Sequence, residues 1–467
     1  MSSTKGKSPR SEKAMAERSE QHGAGHYKTL VEQFYEALLL LKALSGLREG
    51  YDGFPVSQNL RKERLRNFLR GLAYFCDFKK GGDTYTGIGL EEAETEYVFW
   101  VASNKYRPDL ADFLGDLLSR LKQLKDAPED NKGRLRRSLQ AMCFSKAGKR
   151  IDTYQGHLTK SIAEAQSILA TPKTEHDREL SSWMSELNRA DSMTYVELCD
   201  SIFTASKENH MLRLLRSRAK FERSLENIRG KRNAFDEVRH YIGRLASHTR
   251  TLNQLCDYVE DPLIEEIIRA PVVRQIDPLE QAAESTYNIH TELKGLLVGI
   301  KDGAERREVE SRLDDLNRQC KIFDNISNQY DNLKPRVHAE VQILEHFYRK
   351  KLRFANNDKF VGGSKPSCEC CYLYFKYHPA RMVLPESSHK VFIHWSLPPV
   401  ADQSGHAEFI QQRKILSKMV NVLVYDAISE ILDCRTAPCW RPDSLTDLSS
   451  TIASSPLVEP DDVAGPS

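Results

Sequence analysis

Apolar residues recur at helical spacing through much of the first half of the chain. Between Tyr27 and Leu47 they fall at Leu30, Phe34, Leu38 and Leu41, with Gly46 near the end. Spacings of three and four put such side chains on one helix face. Leu65, Phe68, Leu72 and Phe75 repeat the pattern across Leu60 to Phe78. Leu110, Phe113, Leu117 and Leu121 repeat it again behind Pro108, which suits a helix start. Further helices are expected over Leu180 to Leu187, Tyr195 to Thr204 and Arg232 to Val259. No fixed-period repeat accompanies them, so a solenoid is not indicated.

The texture changes at Pro262, Pro271 and Pro278, which punctuate a β-branched piece. Val272 to Ile276 is a candidate edge strand. Two helical stretches are expected beyond it, at about Glu280 to Ile300 and Ala304 to Tyr330. From Lys334 the elements shorten. Arg336-Val337 ends a strand or loop, and Ala339 to Lys351 is a helix with Val341, Leu344 and Phe347 on one face. Lys359 to Gly363 is a short strand, and Ser367 is the expected N-cap of a helix from Cys368 to about Tyr377. Lys390 to Trp395 alternates in strand fashion. The order helix, strand, helix, strand predicts two parallel strands in one sheet. The fold class is an α-helical N-terminal region followed by an α/β domain, a mixed sheet flanked by helices. The divisions are a disordered 1–25, a helical 26–265, an α/β domain at 266–436 and a disordered tail at 437–467.

Composition narrows the setting. Met1 to Gly25 lacks the apolar run of a signal peptide. No stretch approaches the roughly 18 apolar residues of a membrane span. The ten cysteines are mostly isolated and are expected as reduced thiols, which places the chain in cytosol or nucleus and not outside the cell. A net charge of +2 names no partner by itself, so local clusters matter more. Arg213 to Arg250 is strongly basic but lacks interleaved aromatics. A solvated helix face with internal ion pairs is its first explanation, and a nucleic-acid footprint its second.

Two short motifs carry chemistry. His338-Ala339-Glu340 precedes Cys368-Glu369-Cys370-Cys371 by about thirty residues. Cys368 and Cys371, three apart on a first helical turn, share a face and can reach one metal. The helix N-terminus favours their thiolate form. His338 supplies a third ligand, and three protein ligands leave one position of a zinc site open for chemistry. Glu340, two residues from His338, is the candidate proton carrier.

These residues resemble the cytidine deaminase-like superfamily of zinc deaminases. The wider string, Val361-Gly362-Gly363-Ser364-Lys365-Pro366-Ser367-Cys368 to Cys371, then His389 and Trp395-Ser396-Leu397-Pro398, is similar to its fungal and rickettsial deaminase-like branch. In that branch a long helical region precedes the deaminase domain. The resemblance implies a zinc cofactor on His338, Cys368 and Cys371, with Glu340 catalytic in hydrolytic deamination. The substrate-contacting loops find no match, so substrate class does not carry over, and a cytosine or adenine moiety in a nucleotide or nucleic acid is the expected substrate. The basic stretches Arg349 to Arg353 and Arg213 to Arg250 lean towards nucleic acid. No membrane partner is expected. The sequence departs from the superfamily where Ser367 separates Pro366 from Cys368, and where no hairpin is found between Ala304 and Val337.

Rival arrangements exist. Cys368 and Cys371 with His389 and His394 would make a closed, structural Cys2His2 site. A second His-Ala-Glu at His406 follows the cysteine pair, and the later Cys434 and Cys439 are too far apart to share a turn. A non-catalytic scaffold with a degenerate deaminase fold is the third class; an intact Glu340 argues against it. Cys370 is expected as a buried thiol outside the ligand set. Phe360, Tyr372 and Trp395 could pack the fold or stack a base. His157, His210 and His290 are expected to be ordinary helix residues.

Overall fold

The computed structural model describes residues 27–44, 59–170, 174–188, 193–226, 233–279, 293, 296–297, 300, 302–400 and 407–432. The expected disordered ends, most of the expected helix over Glu280 to Ile300, and His406 lie outside the described residues. The chain opens with α1 (27–43), α2 (Leu60–Cys76), and the strands β1 (Thr86–Glu92) and β2 (Tyr97–Ser103). Then come α3 (Leu110–Asp126), α4 (Glu129–Lys146), α5 (Gly148–Ile168), α6 (Glu175–Leu187), α7 (Tyr195–Ala205), α8 (Asn209–Glu226), α9 (Ala234–Tyr258) and α10 (Pro262–Ile268). Strand β3 (Val272–Gln275) leads to α11 (Gly303–Cys320), α12 (Ile322–Asp331), α13 (Ala339–Lys350), β4 (Val361–Gly363), α14 (Glu369–Tyr377) and α15 (Ala407–Leu432).

Local chemistry sets many of the helix starts. The Asn59 side chain accepts from the backbone N–H groups of Arg61 and Lys62 at the head of α2. Thr174 with Asp177 and Thr194 with Glu197 close reciprocal capping boxes on α6 and α7. Asp261 caps α10, whose first residue, Pro262, brings no N–H that needs a partner.

The four strands form one sheet in the order β3-β2-β1-β4. β1 runs antiparallel to β2 and to β4, while β2 and β3 are parallel. Both faces are buried. Ile88, Leu90, Phe99 and Val101 join a core shared with α2 through α10. Val98, Trp100, Ala102 and Val361 join a second core with α1 and α11 through α15. The molecule is therefore layered, with helices on each side of a central sheet.

The glycines of β1 set how closely α13 lies. A Cβ on Gly87 would sit 3.3 Å from the Ala339 carbonyl carbon, and one on Gly89 would sit 2.7 Å from the Ile343 and Phe347 side chains. Only hydrogen at these alternate positions lets α13 rest on the sheet. That contact carries the N-terminus of α13, and His338 with it, to the sheet.

Four expectations are corrected. The hairpin missing from Ala304–Val337 is β1–β2, placed inside the segment read as helical, so strands from both sides of residue 265 share the sheet. The stretch from Ala304 to Tyr330 is two helices, broken at Lys321, which takes a left-handed conformation with φ 51°. Lys390 to Trp395 forms no strand: it makes a single bridge, Arg336 with Trp395, and a turn in which the Trp395 N–H donates to Phe392 O. The second strand of the expected parallel pair is therefore absent there, and the parallel pair is β2–β3 instead. Finally, Cys368 and not Ser367 occupies the N-cap of α14. The candidate edge strand at Val272 is observed as β3.

Candidate metal centre and its cavity

His338 is the N-cap residue of α13, in extended conformation with φ −71° and ψ 151°. Its flanks are pinned from three directions. The Ala339 N–H donates to Asn104 Oδ1 at 2.7 Å, across 235 residues of sequence. Gln342 Nε2 donates to Val337 O at 2.9 Å. The Arg336 N–H donates to His394 O at 2.7 Å. Asn104 follows β2 directly, so the hairpin supplies the partner for an otherwise unpaired N–H at the helix start.

Cys368 stands at the equivalent position on α14, and its Sγ accepts from the Cys371 N–H at 3.5 Å. The loop after α14 braces this end. The Ser367 N–H donates to Glu386 O, the Ser388 N–H to Ser367 O, and the Glu369 N–H to Lys390 O.

Two helix N-termini thus bring three ligating atoms together. His338 Nδ1 lies 3.5 Å from Cys368 Sγ and 3.4 Å from Cys371 Sγ. All three atoms fall within 4.8 Å of one another, and all three residues are buried. Ordinary zinc–sulfur and zinc–nitrogen bonds in a tetrahedron place N and S ligands about 3.6 Å apart. The residues present fit a zinc ion, by donor type and by spacing.

Electrostatics supports the same conclusion. Burial raises the Cys368 thiol, yet hydrogen bonds from Cys370 and Cys371, with the facing His338, hold it well below the usual thiol range. Cys371 is pushed up by burial and by the Cys368 thiolate beside it. Burial lowers His338, but the charge of Cys368, its hydrogen bond and the charge of Glu340 together raise it above the ordinary histidine value. Two sulfurs that compete for one negative charge suit a dication, which stabilises both as thiolates. The Trp395 indole N–H donates to Cys371 Sγ at 3.2 Å. Phe34 of α1 packs on that indole with ring centroids 5.5 Å apart.

Glu340 is buried, and its Oε2 has no hydrogen-bond partner among the described residues. Burial holds its carboxyl above the usual range, against the opposing pull of His338. His338, Glu340 and Cys368 line a cavity of about 430 Å³. On the same side it is bounded by Arg336, Ser388, Lys390, Phe392 and His394. The opposite wall comes from the helical layer: Tyr154 of α5, and Glu237, His240, Tyr241 and Arg244 of α9. The rim includes Lys80, Gly81, Gly82, Tyr85, Asn104 and Lys365.

The rival arrangements separate clearly. His389 pairs with Glu369, its Nδ1 2.5 Å from Oε2. His394 Nδ1 accepts from the Lys334 N–H at 3.1 Å. Neither belongs to the ligand group, so the Cys2His2 set is not assembled. Cys370 is fully buried and stands outside the group. Among the described residues a second set, His176, Glu179 and His210, could also hold an ion, but both its histidines are exposed. Of the aromatic candidates, Phe360 lies under Arg70, Tyr372 beside His389, and Trp395 behind Cys371. None of the three lines the cavity, whereas Tyr85, Tyr154, Tyr241 and Phe392 do. The exposed Phe392 ring, 6.4 Å from that of His338, was visible in sequence only as one member of an alternating run.

Fold and centre together define a deaminase-like domain with a buried His-Cys-Cys group able to hold a metal such as zinc. A family model described as "OTT_1508_deam:-like deaminase" matches residues 337–399, the segment that contains both motifs. No curated protein and no solved structure matches the chain. Among the described residues, no helix is long and apolar enough to cross a membrane.

Proposed function

We propose that the chain is a zinc-dependent hydrolytic deaminase of a cytosine or adenine moiety, of the fungal and rickettsial deaminase-like branch. The observation that carries this is the grouping of His338, Cys368 and Cys371 within 4.8 Å, beside an unpartnered Glu340 oxygen in the same cavity. His338 Nδ1 and the two cysteine sulfurs are the ligands. A zinc ion bound there supplies Lewis-acid activation of water near neutral pH. Glu340 accepts a proton from the attacking water and delivers it to the ring nitrogen next to the amine-bearing carbon. The water oxygen bonds to that carbon. Glu340 then passes the second proton to the amine, the C–N bond breaks, ammonia leaves and a carbonyl remains. Trp395 holds Cys371 by its N–H, and Asn104 fixes the start of the helix that bears His338 and Glu340.

The test compares zinc content and ammonia release for wild type, Glu340→Gln and Cys371→Ala. The panel is nucleosides, nucleotides and single-stranded DNA and RNA. Glu340→Gln is expected to keep its zinc and lose about 10²- to 10⁴-fold in turnover. Cys371→Ala is expected to lose both. Stoichiometric zinc in wild type with no ammonia from any substrate would leave a metal-binding scaffold instead.

A further inference from the structure

The cavity that His338, Glu340 and Cys368 line is cationic, and both helical layers contribute to it. Lys80, Arg244, Arg336, Lys365 and Lys390 line it, with Glu237 as the one carboxylate apart from Glu340. Some of this charge is partly offset. Lys365 Nζ lies 2.7 Å from Asp77, and Arg336 Nη2 lies 2.7 Å from the exposed Asp83. Asp77 is itself shared with Arg150, 3.9 Å away, so it does not cancel both cations. Arg336 Nε is buried without a hydrogen-bond partner among the described residues. A ligand oxygen there would satisfy a donor that is otherwise costly to bury.

The opposite wall limits what can enter. A nucleic-acid strand needs a basic groove that continues past the reacting base. Here α5 and α9 contribute Tyr154, Glu237, His240, Tyr241 and Arg244 to the lining, and the 430 Å³ of the cavity is the size of a small-molecule site. Elsewhere, four arginines of the basic stretches are ion-paired within the protein. Arg218 pairs with Asp177 and Glu222, Arg223 with Asp236, Arg349 with Glu345, and Arg353 with Glu92. None of these four arginines lines the cavity, so a strand laid on them would not run from the reacting base. A neutral nucleoside, for its part, offers no anion to the buried Arg336 Nε.

We infer that the substrate is a free nucleoside phosphate, its base beside Phe392 at the metal and its phosphate among Arg336, Lys390 and the Lys80–Lys365 rim. This rests on the deaminase reading and narrows it. It also gives the helical layer a role: Tyr154, Tyr241 and Arg244 line the recess that holds the nucleotide.

The experiment separates binding from turnover. Calorimetric titration of the full-length, zinc-loaded Glu340→Gln protein uses CMP and AMP, their nucleosides, inorganic phosphate and a short single-stranded oligonucleotide. One monophosphate is expected to bind about tenfold or more tighter than its nucleoside, the effect of one or two charge-assisted hydrogen bonds. Adding Arg336→Ala should remove most of that gap. Lys80→Ala, at an exposed position that cannot disturb the core, should reduce it, and Lys80→Arg should restore it. Equal binding of nucleoside and monophosphate, or tighter binding of the oligonucleotide, overturns the inference. Ammonia release by wild type is read separately. Phosphate-dependent binding without ammonia from any nucleotide keeps the anion site and removes the deaminase reading. Ammonia released with equal kcat/KM from nucleoside and monophosphate does the reverse.

Discussion

On the metal side of the cavity, His338 and Cys368 stand at helix N-termini, each held by backbone bonds to loops that belong to other elements. On the helical side, Tyr154, Tyr241 and Arg244 come from the interiors of α5 and α9, and α9 is buried on all sides from Tyr241 to Thr249. A helix end can be aimed by a few hydrogen bonds, and it brings a local positive potential that suits thiolates. A helix interior cannot be aimed residue by residue; it presents a fixed surface set by packing. The His-Cys-Cys group therefore sits where short-range bonds bring three atoms within 4.8 Å of one another. The cavity residues of the helical layer sit where a packed core holds them.

The two sides meet at Asp77, so the comparison breaks most severely there. Its carboxylate is fully buried and accepts from Thr84 Oγ1 at 2.6 Å, Ser364 Oγ at 3.2 Å and Lys365 Nζ at 2.7 Å, with Arg150 of α5 at 3.9 Å. Ser364 and Lys365 lead into the cysteine helix, and Arg150 belongs to the helical layer. Asp77→Ala leaves a buried guanidinium and an ammonium without their shared counter-charge, and a loss of about 3–5 kcal/mol is expected. Urea unfolding of the full chain measures it. A loss below about 1 kcal/mol would mean that the two sides hold together without this joint.

The next effect is confined to the metal side. Trp395→Phe keeps a ring against Phe34 but removes the N–H donated to Cys371 Sγ. Zinc affinity is expected to fall about 10- to 100-fold, the usual effect of losing a bond that orients a metal ligand. Competition against a chelator reads this directly. Unchanged affinity would show that the indole merely fills space.

What could be read from sequence follows the same division. The His-Cys-Cys group was legible because each of its two motifs is local: His338 and the neighbouring Glu340 are two apart, and Cys368 and Cys371 share one helical turn. Most helices were legible because their apolar faces repeat within the element. The hairpin was not placed, because β1 and β2 precede the helix they support by 235 residues, measured at the Asn104–Ala339 bond. Their own signal was present, in the alternation of Val98, Trp100 and Ala102 against Phe99 and Val101. Alternation also misled. Val391, Ile393 and Trp395 are buried and Phe392 is exposed, as a strand would have them, yet the segment finds no ladder partner. Periodicity reports which side chains are buried, and pairing must be settled by neighbours distant in sequence. The helical wall of the cavity was invisible for that reason: nothing in α9 marks Tyr241 or Arg244 as facing a site built two strands and several helices away.

The smallest expected effect tests the helical side by pH. His248 of α9 is fully buried between Leu245 and Arg150. Arginine can only donate, so Nε2, 3.3 Å from Arg150 Nη2, is the acceptor and Nδ1–H donates to Leu245 O at 3.2 Å. Burial, and then the Arg150 charge, hold His248 well below the ordinary histidine pKa, so it is neutral in the folded protein. The unfolded chain takes up a proton below about pH 6.5, and there the unfolded state binds more protons than the native one. Stability contributed by this group is therefore present above that pH and lost as pH falls, by up to about 1.4 kcal/mol per unit. His248→Gln offers Arg150 an acceptor that does not titrate. Urea unfolding at pH 7.5 and 5.5 should show a shallower acid loss in the variant than in wild type. Parallel losses in the two proteins would place the acid sensitivity elsewhere than in the helical wall.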